Sequence, residues 1–418
     1  MTILSLTLRS LLNRRYTALL TIVAIALSTA LLLGVERLRV EARAGFAHTI
    51  SGTDLVVGAR SGQVQLLLYA IFRLGNPTSN MRWDSYRDIA RHPAVAWSVP
   101  LMLGDAHRGF RVLGTTPEYF THYRYGRGRT LEFAAGRPFA DVFDAVLGAD
   151  VARQLGYALG HDLVISHGTG AVSFVQHDAL PFRVVGILAQ TGTPVDRTIH
   201  VGLAGIEAVH LGWEGGAAPR HAPTAAAVRA MELTPQAISA ALLGLESRLA
   251  LFGLQREIQD YAREPLTAVI PGVALQELWD LMGVAERALL AISACVVGVG
   301  LLGMLTAILS GLNERRREMA ILRAVGARPL QVFALLMSEA LLLALLGTTL
   351  GVLLLYGALW LGRPLIEAQW GLYLAIGPLA LREWAVLALI LGTATLMGAV
   401  PGYRAYRYSL ADGLTVRV

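Results

Sequence analysis

The sequence predicts an α-helical membrane protein with four transmembrane helices and one large α+β domain outside the cytoplasm. The first observation is four long apolar runs, one near the amino terminus and three between Leu289 and Tyr403. A helix of about 20 apolar residues is long enough to cross a hydrocarbon core about 30 Å thick. The second is composition, since hydrophobic residues make up 54% of the chain and charged residues only 16%. The third is the segment 36–284, which is long enough to fold around its own core, in two lobes.

The apolar runs and the charged residues between them predict nine consecutive segments. They are a cytoplasmic amino terminus (1–16), transmembrane helix 1 (17–35), the extracytoplasmic domain (36–284), transmembrane helix 2 (285–312), a cytoplasmic amphipathic helix (313–330), transmembrane helix 3 (331–361), a short extracytoplasmic loop (362–384), transmembrane helix 4 (385–403) and a cytoplasmic tail (404–418). A cleavable signal peptide is an alternative for the first run, because small residues occur at Ala24 and Ala26. Cleavage there would leave only Thr17–Val23 as the apolar region, so an uncleaved anchor is favoured.

The basic residues predict the orientation of the chain. All 36 of them are arginine, and they do not gather into a tract interleaved with aromatic residues, so nucleic acid is not an expected partner. Arginines precede the first apolar run, fill the connection between the second and third, and follow the fourth. They are Arg9, Arg14, Arg15, Arg315, Arg316, Arg317, Arg323, Arg328, Arg404, Arg407 and Arg417. By the positive-inside rule these three segments are cytoplasmic, which places the large domain outside.

The absence of lysine from the sequence excludes two kinds of chemistry. A phosphate-binding loop of the Walker A type needs a lysine on the nucleotide phosphates. A Schiff-base enzyme needs a lysine amine. The single cysteine, Cys295, lies within the second apolar run, so no disulfide is expected in the outer domain.

Short β-type runs separated by glycine, proline or aspartate predict strands in the large domain. They are Asp54–Ala59, Phe110–Gly114, Ala145–Gly148, Asp162–Ser166, Phe182–Leu188 and Thr198–Leu203. Helices are predicted at Trp83–Arg91 and from Glu36 to the Ser51-Gly52 pair, where a stalk that Gly45 weakens continues the first apolar run. A linker between two lobes is predicted at Glu214–Pro223, which is rich in glycine, alanine and proline.

The second part of the large domain has a mixed pattern. A strand is predicted at Ala226–Met231, a helix at Thr234–Arg263 and another strand at Thr267–Ile270. An amphipathic helix, Ala274–Glu286, then leads back into the membrane. This density of short strands and helices is typical of an α+β domain.

Metal binding and catalysis are not indicated by the residues of the large domain. All ten histidines occur there, but no H-E-x-x-H motif, cysteine pair or histidine couple at i, i+4 accompanies them. His167 and His177 are the first residues to test for metal binding. No G-x-S-x-G motif and no arrangement of a catalytic histidine with a carboxylate is found. A binding or mechanical module is therefore expected, and a membrane-bound enzyme is the less favoured interpretation.

The most specific string is ERRREMAILRAVGA, Glu314–Ala327, between the second and third apolar runs. Its apolar residues recur near helical spacing on a charged background, and Gly326 can end the helix. Two interpretations stay open from composition alone. The helix either lies on anionic lipid through its arginines or docks onto a protein.

This string resembles the signature loop that joins the second and third helices of FtsX/MacB-type ABC transporter permeases. Ser338-Glu339-Ala340, Gly347 and Gly351 resemble that family's third helix, and the one-plus-three arrangement is similar too. The tail Pro401–Leu414 matches the family's closing motif only in part. Within the family the chain is similar to free-standing permeases of the MacB and LolC/LolE kind, because no ATPase domain is fused to it.

The resemblance implies a permease dimer, homomeric or with a related permease, bound to a separately encoded ABC ATPase pair in the inner membrane. ATP and Mg²⁺ would bind to the ATPase, and this chain would hold no cofactor. The segment 313–330 would be a coupling helix. Its polar contacts to the ATPase would be Glu314, Arg316, Glu318 and Arg323, its apolar anchors Ile321 and Leu322, and its end Gly326.

The family's mechanism is mechanotransmission, in which ATP-driven closure of the ATPase moves the periplasmic domain. The cargo would be a peptide, lipoprotein, lipid or amphipathic small molecule, with a further partner in the periplasm or outer membrane. The alternative is a signalling subunit that transports nothing and activates a cell-wall hydrolase. Glu339 is an intramembrane carboxylate, so it is either functional or structural, with the structural role favoured. The Gly347-x-x-x-Gly351 pair permits close helix packing, within one subunit or between two.

Overall fold

A computed structural model describes residues 3–126, 128–167, 180–211, 224–314, 316–370 and 376–407. The chain divides into two compact units. The helical unit comprises Met1–Ala42, Met282–Ala368 and Leu374–Val418, and the sheet unit comprises Arg43–Leu281 and Gln369–Tyr373. The predicted linker at 214–223 and His177 lie outside the described residues.

The helices of the described residues range from one turn to more than ten. They are α1 (Ile3–Asn13), α2 (Arg15–Thr49), α3 (Gln63–Ala70), α4 (Trp83–Ala90), α5 (Glu118–His122), α6 (Ala149–Leu155), α7 (Leu203–His210), α8 (Ala225–Arg229), α9 (Leu251–Gln259), α10 (Pro271–Glu314), α11 (Arg316–Ala324), α12 (Pro329–Trp370) and α13 (Leu381–Arg407). Two short 3-10 helices cover Pro194–Arg197 and Arg248–Ala250.

Four of these helices, α2, α10, α12 and α13, are long and apolar enough to cross a membrane, counting only described residues. One precedes the sheet unit in the chain and three follow it, as the apolar runs predict. Helix α2 also includes the predicted stalk and ends at Thr49. Helix α12 continues to Trp370, beyond the predicted end of the third span.

A core of buried side chains holds the long helices together. Leu301 and Met304 on α10, Leu336 and Leu343 on α12, and Ala394 on α13 belong to one cluster. Many other apolar side chains of these helices are exposed, including Leu353 at 63% and Leu389 at 70%. Many exposed leucines on a long helix are expected where that helix faces lipid rather than water.

The strands of the sheet unit are short, apart from β3. They are β1 (Leu55–Ala59), β2 (Met81–Arg82), β3 (Val95–His107), β4 (Phe110–Thr115), β5 (Arg124–Tyr125), β6 (Arg129–Thr130), β7 (Phe133–Gly136), β8 (Asp144–Leu147), β9 (Asp162–Leu163), β10 (Ser166–His167), β11 (Phe182–Leu188), β12 (Thr198–Gly202), β13 (Ala237–Ile238), β14 (Ala240–Leu245) and β15 (Leu266–Val269). All five strand predictions from Phe110 to Leu203, and the one at Asp54–Ala59, fall on observed strands.

Most of these strands form one mixed sheet in the order β15-β1-β14-β3-β4-β12-β8-β11-β7, with β10 on β3 and β9 on β11. The long strand β3 joins its two halves. Its amino-terminal half pairs with β14 from Val95 to Leu101, and its carboxy-terminal half pairs with β4 from Met102 to His107. Both halves belong to one compact unit, and the division into two lobes stays a prediction.

The segment 225–263 differs from its sequence prediction. The predicted strand at Ala226–Met231 is the helix α8, because the Thr224 hydroxyl caps its first turn by accepting the Ala227 N–H at 3.3 Å. The predicted helix at Thr234–Arg263 is wrong in its first half, which forms β13 and β14. Strand β14 consists mostly of alanine and leucine, both good helix formers, but it is almost fully buried between β1 and β3. Tertiary burial therefore overrides local propensity here.

Candidate functional site

The connection between α10 and α12 folds as the short helix α11, within the predicted range. Its end follows from local backbone geometry. Gly326 has a φ of +103°, which only glycine adopts without strain. The Gly326 N–H donates to the Arg323 carbonyl at 3.1 Å and the Val325 N–H to the Ile321 carbonyl at 3.0 Å. Gly326 therefore ends the helix as predicted, by a left-handed residue just beyond the last turn.

Helix α11 has one face packed and another open. Met319 and Ala320 are 7% and 5% exposed, and Met319 belongs to the core cluster of the helical unit with Leu312. Ile321 and Val325 are 52% and 83% exposed. The packed face holds α11 on the ends of the long helices, and the open face presents two apolar side chains.

The other residues predicted to contact an ATPase are less completely defined. The side chains of Glu314, Arg316, Glu318 and Leu322 lie outside the described residues. Arg323 is half-buried and takes part in a polar interaction. The roles of these residues stay predictions.

The amino-terminal helix α1 packs against the region around α11. The sequence analysis did not predict this contact. Leu11 of α1 joins the same core cluster as Met319. Arg14 donates from Nη2 to the Gly311 carbonyl at 3.0 Å, and the Thr7 and Ser338 hydroxyl oxygens lie 2.9 Å apart. These bonds tie the beginning of the chain to α10 and α12. The available signal was the spacing of the apolar residues in the segment 3–13, which is amphipathic.

Glu339 lies on α12 beside Ser338 and is only 5% exposed. Its carboxylate is not isolated, since it takes part in a polar or electrostatic interaction. Its neighbour Ala340 is fully buried, and an ideal Cβ on Gly398 of α13 would lie 2.5 Å from the Ala340 Cβ. The packing at Ala340 does not decide the role of Glu339, which stays a prediction.

The two glycines of the Gly-x-x-x-Gly pair pack α12 onto α2 of the same chain. A Cβ added at Gly347 would lie 2.7 Å from the Ile25 side chain, and one at Gly351 would lie 2.7 Å from the Ala26 carbonyl oxygen. Of the two alternatives left by the sequence, the structure shows packing within one subunit.

Two buried polar side chains in the described part of the sheet unit are held by structural hydrogen bonds. The Asp196 carboxylate accepts the N–H groups of Thr191 and Gly192 at 2.8 and 2.7 Å, and burial raises its pKa above the usual value. The Nδ1–H of His107 donates to the Val164 carbonyl at 2.6 Å, and Nε2 accepts the Tyr157 hydroxyl at 2.9 Å. Both arrangements close turns or fill core space.

No group of three or more histidine, cysteine, aspartate or glutamate side chains is placed to hold a metal ion among the described residues. This finding does not test metal binding by His167 and His177. His177 is outside the described residues, and only the backbone of His167 is described.

Two family models match the chain. The model of the MacB-like periplasmic core domain matches residues 18–239, and the model of the FtsX-like permease C-terminal region matches residues 290–410. The first covers more than half of the chain. The second includes most of α10, all of α11 and α12, and α13.

Several curated relatives carry the name "Macrolide export ATP-binding/permease protein MacB". The one from Nitrobacter winogradskyi is 29% identical over 160 residues, which are 38% of this chain and 23% of that protein. The one from Burkholderia lata is 33% identical over 130 residues, which are 30% of this chain and 17% of that protein. The matches thus span less than a quarter of the length of these relatives.

Two solved structures are similar to part of the chain. The periplasmic region of MacB from Actinobacillus actinomycetemcomitans aligns with a TM-score of 0.35 and 11% identity, over 55% of this chain and 94% of that one. The extracellular domain of the noncanonic ABC-type transporter YknZ from Gram-positive bacteria aligns with a TM-score of 0.30 and 14% identity, over 52% and 98%. Both TM-scores are too low to relate individual residues. The two family models carry the assignment, and by them the chain belongs to the FtsX/MacB-type family of ABC transporter permeases.

Proposed function

We propose that this chain is the membrane subunit of an ABC transporter of the inner membrane, driven by an ATPase on a separate chain. Helix α11 is the coupling helix, and ATP with Mg²⁺ binds to the ATPase pair beneath a permease dimer. Movement of the ATPase is transmitted through the long helices to the periplasmic domain. The cargo class is a peptide, lipoprotein, lipid or amphipathic small molecule.

The observation that carries the proposal is the division of α11 into a packed and an open face. Met319 and Ala320 fix the helix to the helical unit, so a force on its open face is passed to α10 and α12. Ile321 and Val325 supply exposed apolar contact area, and apolar anchors with a charged surround are typical of protein docking. A helix that lay on lipid would also bury an apolar face, so the recovery of an ATPase distinguishes the two interpretations.

The test is affinity purification of the tagged chain from native membranes, with mass spectrometry and an ATPase assay on the eluate. Ile321→Asp places a charge in the apolar contact, and we expect it to lower the recovered ATPase by about tenfold or more. Leu249→Asp is the matched control, since Leu249 is a 95% exposed leucine of the sheet unit. Charge reversal at Glu318 together with Arg323 should also release the ATPase.

Recovery of an ABC ATPase with wild type and Leu249→Asp but not with Ile321→Asp would support the proposal. Equal recovery with Ile321→Asp would reject α11 as the coupling helix. The other proteins in the eluate distinguish transport from signalling. An outer-membrane conduit or lipoprotein carrier indicates transport, and an amidase or peptidase indicates a subunit that activates a cell-wall hydrolase.

A further inference from the structure

A carboxylate and an imidazole meet inside the sheet unit. Asp105 lies near the carboxy-terminal end of β3, and His210 is the last residue of α7. Nε2 of His210 lies 3.5 Å from Oδ1 of Asp105. The two residues are far apart in the sequence, so the spacing of histidines along the chain does not reveal this pair.

Both facing atoms of this pair are shielded from water. Asp105 is only 4% exposed, and its Oδ1 and the Nε2 of His210 are buried. The remainder of the His210 side chain reaches the surface, with 27% of its area exposed. An aspartate buried this deeply is almost always paired with a cation or bound to a metal. The exposed edge of His210 gives a small ion a route to the carboxylate.

The distance between the two atoms suits a shared metal ion. A charge-assisted N–H···O bond is about 2.7 to 2.9 Å long, which is shorter than the 3.5 Å between His210 and Asp105. In a tetrahedral zinc site with bonds of about 2.0 to 2.2 Å, two ligand atoms lie about 3.3 to 3.6 Å apart. A zinc ion can therefore occupy the place between these atoms where a proton would otherwise lie.

The register of the sheet brings a third ligand position to Asp105. Strand β10 pairs with β3 in the antiparallel direction, with Ser166 opposite Ala106 and His167 opposite Asp105. Residues directly opposite in such a ladder share one face of the sheet, with Cβ atoms about 4.5 to 5.5 Å apart. His167 is one of the two histidines that the sequence puts first for a metal test. The ladder now supplies an acidic neighbour for it.

Other titratable groups close to the pair have structural roles. His107, two residues after Asp105, is hydrogen-bonded at both ring nitrogens. Glu207, one turn before His210 on α7, is hydrogen-bonded to the Gln236 backbone, and burial raises its pKa. Asp105 and His210 each take part in a further interaction as well, so metal binding does not require either to be idle.

We propose that the sheet unit binds one zinc ion through Oδ1 of Asp105, Nε2 of His210 and the imidazole of His167. Carboxylate oxygen and neutral imidazole nitrogen are ordinary zinc ligands, and three protein ligands leave the fourth position to water. The ion would join β3, β10 and α7, three elements that are distant in the sequence. This site is independent of the cargo and of the ATPase.

The test is calorimetric titration of the purified full chain with zinc chloride, after removal of the tag and of bound metal with a chelator. We expect one zinc ion per chain. His210→Gln should weaken binding by about tenfold or more, because loss of a ligand costs at least as much as loss of an outer-shell partner. His92→Gln is the matched control. His92 also faces a carboxylate, that of Glu257 at 3.2 Å, but Glu257 is 66% exposed.

Equal zinc affinity of wild type and His210→Gln, or no zinc binding by wild type, would overturn the proposal. His167→Gln should weaken binding as much as His210→Gln, and unchanged affinity in that variant would reject the three-ligand site.

Thermal unfolding in detergent separates loss of the site from loss of the fold. Zinc should raise the Tm of wild type and of His92→Gln, because an ion that binds only the folded state stabilises it. Without zinc, His210→Gln should melt close to metal-free wild type, since His210 is partly exposed. Zinc should not raise the Tm of that variant. A zinc-dependent rise equal to that of wild type would contradict the assignment of His210.

Discussion

His200 shows how one side chain sets the pH response of the sheet unit. It lies in β12, is fully buried, and packs against the rings of Tyr119 and Phe120. Its Nδ1–H donates to the Val146 carbonyl oxygen at 3.4 Å, while Nε2 is buried without a partner in the described residues. Burial lowers the pKa of His200 to about 3. The folded domain therefore holds this imidazole in its neutral form.

We predict that acid destabilises the sheet unit through His200. The folded pKa is below the unfolded value of about 6.5, so the stability is present above pH 6.5 and is lost as the pH falls towards 3. At pH 5 the loss from this one group is about 2 kcal/mol. Amide hydrogen exchange of β8 and β12 peptides at pH 7.5 and 5.0, corrected for intrinsic rates, measures it. His200→Gln should abolish most of this pH dependence, and an undiminished dependence in that variant would contradict the assignment.

At the scale of elements, glycine decides where the long helices approach one another. Gly347 and Gly351 bring α12 against α2, and Gly398 brings α13 against Ala340 of α12. Sequence reasoning recognised the first pair but left its partner open. The existence and the end of α11 were predictable, since the apolar spacing and Gly326 are local signals. Its orientation was not, because Met319 is buried and Ile321 exposed only through the packing of α1, α10 and α12.

Gly351→Ala is predicted to destabilise the helical unit. Its new Cβ would lie 2.7 Å from the Ala26 carbonyl oxygen and 2.8 Å from the Thr29 Cβ, so α2 and α12 would have to separate. Overpacking of this kind costs about 1 to 3 kcal/mol. Thermal unfolding in detergent measures the change. Gly357→Ala is the control on the same helix, because no atom lies within 4 Å of an added Cβ there, and comparable melting of the two variants would disprove tight packing at Gly351.

On the scale of the whole molecule, the chain combines a helical unit with a sheet unit that is inserted after its first long helix. The insertion begins and ends within helices, since α2 continues from the helical unit to Thr49 and α10 begins at Pro271 in the sheet unit. Arginines lie beside the α10–α12 connection and before α2. This distribution predicts that the sheet unit and the start of α13 share the side opposite to α11.

The single native cysteine allows this orientation to be tested. With Cys295→Ala as background, Arg256→Cys reports on the sheet unit, Arg382→Cys on the start of α13, and Arg328→Cys on the connection after α11, all three at exposed positions. An impermeant maleimide should label the first two from outside intact spheroplasts. It should label Arg328→Cys only in inverted vesicles. Labelling of Arg328→Cys from outside would refute the predicted orientation.

The sequence by itself determined the positions of the long apolar helices, most strands of the sheet unit, helix α11 and the family. The length of an apolar run, the alternation of apolar and polar residues, and a glycine that ends a helix are local properties. The sequence alone therefore shows them. Only the tertiary structure decided that the Ala-Leu stretch 240–245 is a strand and that Gly347 and Gly351 face α2. These outcomes depend on which distant segments meet, and burial among them outweighs the preference of any single residue.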